Sequence, residues 1–168
     1  MPITPFHFGL DAALKSLAPQ SFSLSVFCFT QIVTDTEVLA SILLDSFPLH
    51  KLFHTYAGAT LVASICVLVG RPVCRKLKQT WNRWFNAEID DPSFVSERIS
   101  FLAACSGAFC GAYSHVLLDS IMHADMRPFA PLSPVNPMLG ALSFWQVHLL
   151  CVGLGVFGIC LRLLRPRE

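Results

Sequence analysis

His115 and Asp119 stand four residues apart inside an apolar run. On a helix that spacing puts an imidazole and a carboxylate on one face, and His123 continues the face one turn further. His50 and His54 repeat the spacing at the start of another apolar run, Asp35 and Glu37 interrupt a third, and His148 lies in the last. An ionisable group inside a membrane span costs ~3 kcal/mol at the bilayer centre, so it is a functional candidate by default. Imidazole and carboxylate together suit zinc, iron or manganese, and three protein ligands with one open position make the arrangement of a catalytic zinc. His115 and Asp119 can both reach a single ion. His54 can supply a third ligand, and Asp35 a fourth or a bridge to a second metal. Asp35 and Glu37 are two residues apart and point to nearly opposite sides of an ideal helix. Either that helix is distorted or only one of the two faces the centre.

The elements that must hold these groups are set by composition. Of 168 residues, 54 % are hydrophobic and 14 % charged, and mean hydropathy is +0.57. A soluble domain carries about 25 % charged residues. The balance therefore excludes a disordered tail, a soluble nucleic-acid binder and an ordinary cytosolic enzyme. A spanning helix needs ~20 mostly apolar residues. Four stretches reach that length, at 22–44, 52–70, 99–122 and 139–164, and a shorter piece at 6–18 lies between Pro5 and Pro19. The expected fold is an all-α transmembrane bundle forming one integral-membrane domain over 1–168. The short N-terminal helix is expected to form a hairpin with the first span, and 71–98 a basic loop. Arg71, Arg75, Lys76, Lys78 and Arg83 in that loop, with Arg162, Arg165 and Arg167, place the loop and the C-terminus in the cytoplasm by the positive-inside rule. Trp81 and Trp84 suit either a segment on anionic headgroups or a solvated loop. By helical rise, His54, His115 and His148 each stand about 24 Å from the cytoplasmic end of their helices, Asp35 about 20 Å and Asp119 about 30 Å. Helices far apart in sequence thus present imidazoles and carboxylates in one layer towards the outer face.

Other polar groups carry plainer expectations. The seven cysteines lack Cys-x-x-Cys spacing and read as small apolar filler. Asp11 and Asp45 are expected at the interface or in water, and Asp125 and Arg127 can pair with each other. His50 and His148, taken singly, are as well explained as polar contacts between helices. No phosphate-binding glycine loop and no Gly-x-Ser-x-Gly elbow is present. The start of the chain lacks the basic stretch of a cleaved signal peptide.

The ordered set TPFHFG at the start, TDTE at 34–37, HKLFHT at 50–55, SHVLLDS at 114–120 and HADMRPFAP at 123–131 resembles the bacterial membrane-bound metal-dependent hydrolases, an inner-membrane family. The resemblance runs over about residues 4–140. It implies that His7, Asp35, His54, His115 and Asp119 are the metal ligands, and that Glu37, His50, His123 and Asp125 support them or take part in catalysis. The family often has Arg after the first histidine of the third helix. Lys51 keeps that charge and loses the bidentate fork. The implied chemistry is hydrolysis by a divalent metal, zinc foremost, that lowers the pKa of bound water towards ~7. Glu37 or Asp125 is the expected general base, and Arg127 the expected anchor for an anionic substrate group. The partner is a membrane lipid, or a lipid-linked ester or phosphoester reached from the periplasm, and not nucleic acid. Two rivals remain: a metal-ion or proton transporter, and a structural protein whose metal staples the bundle.

Overall fold

The computed structural model describes residues 8–85 and 99–164. Among them are five helices and no strand: α1 (Phe8–Leu17), α2 (Leu24–Leu43), α3 (Tyr56–Phe85), α4 (Phe101–Met122) and α5 (Phe144–Leu164). All but α1 are long and apolar enough to cross a membrane. Ser23 and Ser100 start α2 and α4 as N-caps, each side-chain oxygen accepting from a first-turn backbone N–H, that of Val26 or Ala103.

The centre of the bundle is α4, packed between α2 and α3. Between lipid-compatible helices the apolar effect gives little preference, so close backbone approach has to supply the packing. The face of α4 that meets its neighbours is made of Ala103, Ala104, Gly107, Ala108, Gly111 and Ala112, most of them wholly buried. A Cβ at Gly107 would land on the Ser23 carbonyl, and one at Gly111 would lie 3.1 Å from the Phe27 carbonyl. The start of α2 is also tied to α4 by a hydrogen bond from Ser23 N–H to the Ala103 carbonyl, 3.0 Å. We expect Gly107→Val to separate α2 from α4 and to cost ~2 kcal/mol or more. Thermal unfolding in detergent should show a clear drop against Gly153→Val, where an added Cβ meets open space.

Two expectations about the elements are corrected and one is extended. First, 71–85 is helix rather than loop. α3 carries Pro72 within it and continues for thirty residues, about 45 Å at the helical rise. Pro72 removes one backbone donor, but the Arg, Lys, Leu and Gln residues after it favour helix strongly enough to resume the ladder. The exposed Trp81 and Trp84 ride on this extension. The rest of the expected loop, 86–98, lies outside the described residues. Second, α1 turns back onto α2, where Asp11 meets Cys28, and in addition lies along α5. A Cβ at Gly9 would strike the Cys151 carbonyl, one at Gly158 would strike the Ala12 backbone, and Ser16 Oγ donates to the Gly158 carbonyl at 2.7 Å. α1 and α5 run parallel, held by small residues on both sides. Third, Asp11 is not at a wet interface; it is 3 % exposed and accepts from the Cys28 thiol at 3.4 Å. Asp45 is exposed, as expected. No cysteine is in a disulfide.

The segment 123–143 folds back over one end of the bundle. Met126 is driven into the core beside the helices, and the Pro128 carbonyl accepts the Tyr56 N–H at 2.8 Å. Asn136 Nδ2 donates to the carbonyls of Ser120 and His123, which the end of α4 would otherwise leave open.

Candidate metal centre

Beneath that segment, the residues that matter come from α2, from α4 and its C-cap His123, and from the turn before α3. His50 and His54 do not open α3 as a helical pair. The Glu37 carboxylate accepts the backbone N–H groups of Lys51 (3.0 Å) and Phe53 (3.0 Å), which keeps 50–54 in a turn. Thr55 Oγ1 then accepts the Gly58 N–H and starts α3 one residue later. The two rings still meet, with centroids 4.8 Å apart. The row continues on both sides: His54 to His115 at 5.2 Å and His50 to His123, stacked, at 4.5 Å.

Three of the four imidazoles have Nδ1 held by a dedicated acceptor. His54 Nδ1–H donates to Glu37 at 3.0 Å, His50 Nδ1–H to Asp125 at 2.9 Å, and His115 Nδ1–H to the Gln31 side-chain oxygen. A proton on Nδ1 leaves the Nε2 lone pair for something else. His115 Nε2 lies 3.2 Å from Asp35 Oδ1 and 3.3 Å from Asp119 Oδ2, and the same Asp119 oxygen lies 3.9 Å from His54 Nε2 and 4.0 Å from His50 Nε2. A nitrogen lone pair facing a carboxylate oxygen is repulsive unless a proton or cation lies between them. Four donors each ~2.1 Å from a tetrahedral ion stand ~3.4 Å from one another, so the separations around His115 are those of a ligand shell. The buried Nε2 atoms of His54 and His123 have no hydrogen-bond partner, which is costly in a site meant to be empty of any ligand. The residues therefore fit a divalent ion. Holding the far nitrogen of a ligating histidine by a carboxylate or carbonyl is also how metal sites fix tautomer and ring direction.

Burial pushes the His54 pKa below its ordinary 6.5, in part against its hydrogen bond to Glu37. The folded protein thus takes up less proton than the unfolded chain as pH falls through 6.5, so stability rises with pH across that window. In metal-free protein we expect the unfolding temperature to fall between pH 7 and pH 5, with a smaller fall in His54→Gln. The Asp125 carboxylate is raised by burial but brought below its ordinary value by the His50 ring and the N–H groups of Leu49 and His50.

The structure assembles Asp35, His54, His115 and Asp119 in one place, with His50 and His123 beside them. His7 lies outside the described residues. Asp35 and Glu37 both face the site without distortion of α2, because α4 lies on one side of that helix and the 50–54 turn wraps the other. Glu37 and Asp125 are not poised as bases; their oxygens are occupied in holding His54, His50 and the turn. Asp125 pairs with His50, not with Arg127. Arg127 is exposed and lines an open groove of about 290 Å³ with Phe47, Pro48, Ala124 and Asp125. Lys51 points away, its Nζ donating to Ser46 Oγ at 2.8 Å. His148 is not in the layer, because α5 packs on α1, and its Nδ1–H donates to the Phe144 carbonyl on its own helix. The residue missed from sequence is Gln31, fully buried and holding His115. Its signal was a lone amide in an apolar span, one helical turn before Asp35.

Comparison with known protein families, curated proteins and solved structures finds no match for this chain.

Proposed function

We propose that this chain is a membrane-embedded, metal-dependent hydrolase of the bacterial inner membrane. Its substrate is a lipid-linked ester or phosphoester reached from the periplasmic side. The observation that carries the reading is the convergence of Nε2 atoms on Asp119 and Asp35 with each Nδ1 separately held. Asp35, His54, His115 and Asp119 would hold the ion, zinc foremost, and the ion would supply an activated water at neutral pH. Glu37, Asp125 and Gln31 each hold an Nδ1–H and so aim the Nε2 atoms. Asp35 is the most open of the carboxylates, its side chain 28 % exposed against 7 % for Asp119. It is the ligand best placed to loosen from the ion, open a position for water and take that water's proton. Arg127, on the rim, offers a guanidinium to an anionic headgroup.

Away from the site the core between α2, α3 and α4 is largely Val26, Phe27, Ala59, Val62, Ala63, Cys66, Ala104 and Ala108, which favours a site reached from one end over a transport path. One observation favours a structural metal instead: Glu37 and Asp125 are used up in support, leaving few spare polar groups. Turnover separates the two. Phospholipid vesicles would be incubated with zinc-loaded protein and with Asp35→Asn protein shown to retain zinc. Hydrolysis by the first and not the second supports the enzyme; full metal content with no hydrolysis of anionic or zwitterionic lipid supports the staple. Orientation is tested with Lys51→Cys. A membrane-impermeant thiol reagent should label it in intact spheroplasted cells above the wild-type background, and labelling only after lysis would reverse the topology.

A further inference from the structure

One tetrahedral ion does not account for the donors present. Ligands of a single ion lie no farther apart than twice a ~2.1 Å bond. Among the described residues the donors gather only in threes, even with a looser limit of 4.8 Å between donor atoms: Asp35, His54 and His115; His50, His54 and Asp119; and His50, His123 and Asp125. His54 joins the first two sets but has one lone pair to give, since its Nδ1 is committed to Glu37. Whichever ion it serves, the other set still holds an imidazole and a carboxylate directed at the same space. His123 adds a buried Nε2 with no hydrogen-bond partner, on a ring stacked against His50. Asp119 Oδ2 lies between the groups, 3.3 Å from His115 Nε2 and 4.0 Å from His50 Nε2.

We infer that the centre binds two metal ions, the second held by His50 and His123, with Asp119 shared between the two. Asp125 is then a positioning residue that aims His50. The inference rests on the metal centre of the proposed function and not on catalysis. It narrows the substrate class. A carboxylate-bridged pair suits a phosphoester, in which the attacking and leaving oxygens both need charge neutralised, better than a carboxylic ester.

The test is stoichiometry. Full-length protein in detergent is stripped with EDTA, dialysed against buffer containing zinc, and analysed for metal. Two zinc ions per chain are expected, and one in His123→Ala with helical content preserved. Loading with manganese should give a spin-coupled pair in the wild type and an isolated ion in the variant. A single ion in the wild type, or a His123→Ala variant with unchanged metal content, overturns the inference. Should His123→Ala not fold, the wild-type count and the manganese spectrum decide alone. Two ions without hydrolysis of any phosphoester would leave this inference standing and remove the proposed function.

Discussion

Asp119→Ala is expected to leave the protein without tightly bound metal. Among the described residues, Asp119 Oδ2 is the oxygen that faces three imidazole nitrogens, those of His115, His54 and His50, at 3.3–4.0 Å. Removing a partner that only supports a ligand costs 10–100-fold in metal affinity, and removing a shared ligand should cost more than that upper figure. Asp119→Asn tests charge apart from shape. It keeps the size and one carbonyl oxygen but takes away the negative charge that offsets the ion, so it should bind zinc far more weakly than wild type. Zinc titration against a competing chelator reads both effects. Wild-type affinity in Asp119→Asn would mean that the imidazoles gather for packing alone.

The second large effect is expected at Glu37, and it reads on two scales. Its carboxylate accepts from Lys51 N–H, Phe53 N–H and His54 Nδ1–H. Hydrogen bonds to a charged group contribute ~1.5–3 kcal/mol each. Glu37→Ala therefore removes the support of the whole 50–54 turn and should cost ~3 kcal/mol or more. It should also weaken zinc binding about 10–100-fold through the loss of His54 alignment. Thr36→Ala, at an exposed neighbour, is the control and should change neither. The substitution also separates two roles. Were Glu37 a general base, Glu37→Gln would abolish turnover and leave metal affinity intact. As a support it should lower affinity and stability together, because the amide nitrogen now faces the backbone N–H donors.

A good part of this arrangement was legible in the residues. The i, i+4 pairing of His115 with Asp119 survives folding, since both lie on one regular helix and the spacing acts within a single turn. The shared depth of Asp35, His54 and His115 also holds, because helical rise is constant and the apolar runs set where each helix begins and ends. The pairing of His50 with His54 gave the right neighbours by the wrong route. Helical spacing suggested it, but a turn pinned from outside by Glu37 makes it. His148 was assigned the same depth by helical rise yet stands apart from the cluster, because depth says nothing about which way a helix is turned or what it packs beside.

By itself the sequence determined that the chain is helical, that four of its helices can cross a membrane, and that imidazoles and carboxylates able to ligate a metal gather at one level. These properties are local: hydropathy, rise per residue and the periodicity of one face. Only the tertiary structure decided that α1 joins α5, that Gln31, Glu37 and Asp125 hold the imidazoles, and that Nε2 rather than Nδ1 faces Asp119. Those outcomes depend on how each helix is rotated about its axis and on contacts between residues far apart along the chain. Small side chains such as Gly107 and Gly158 set that rotation, by allowing one backbone to come close to another in a single orientation.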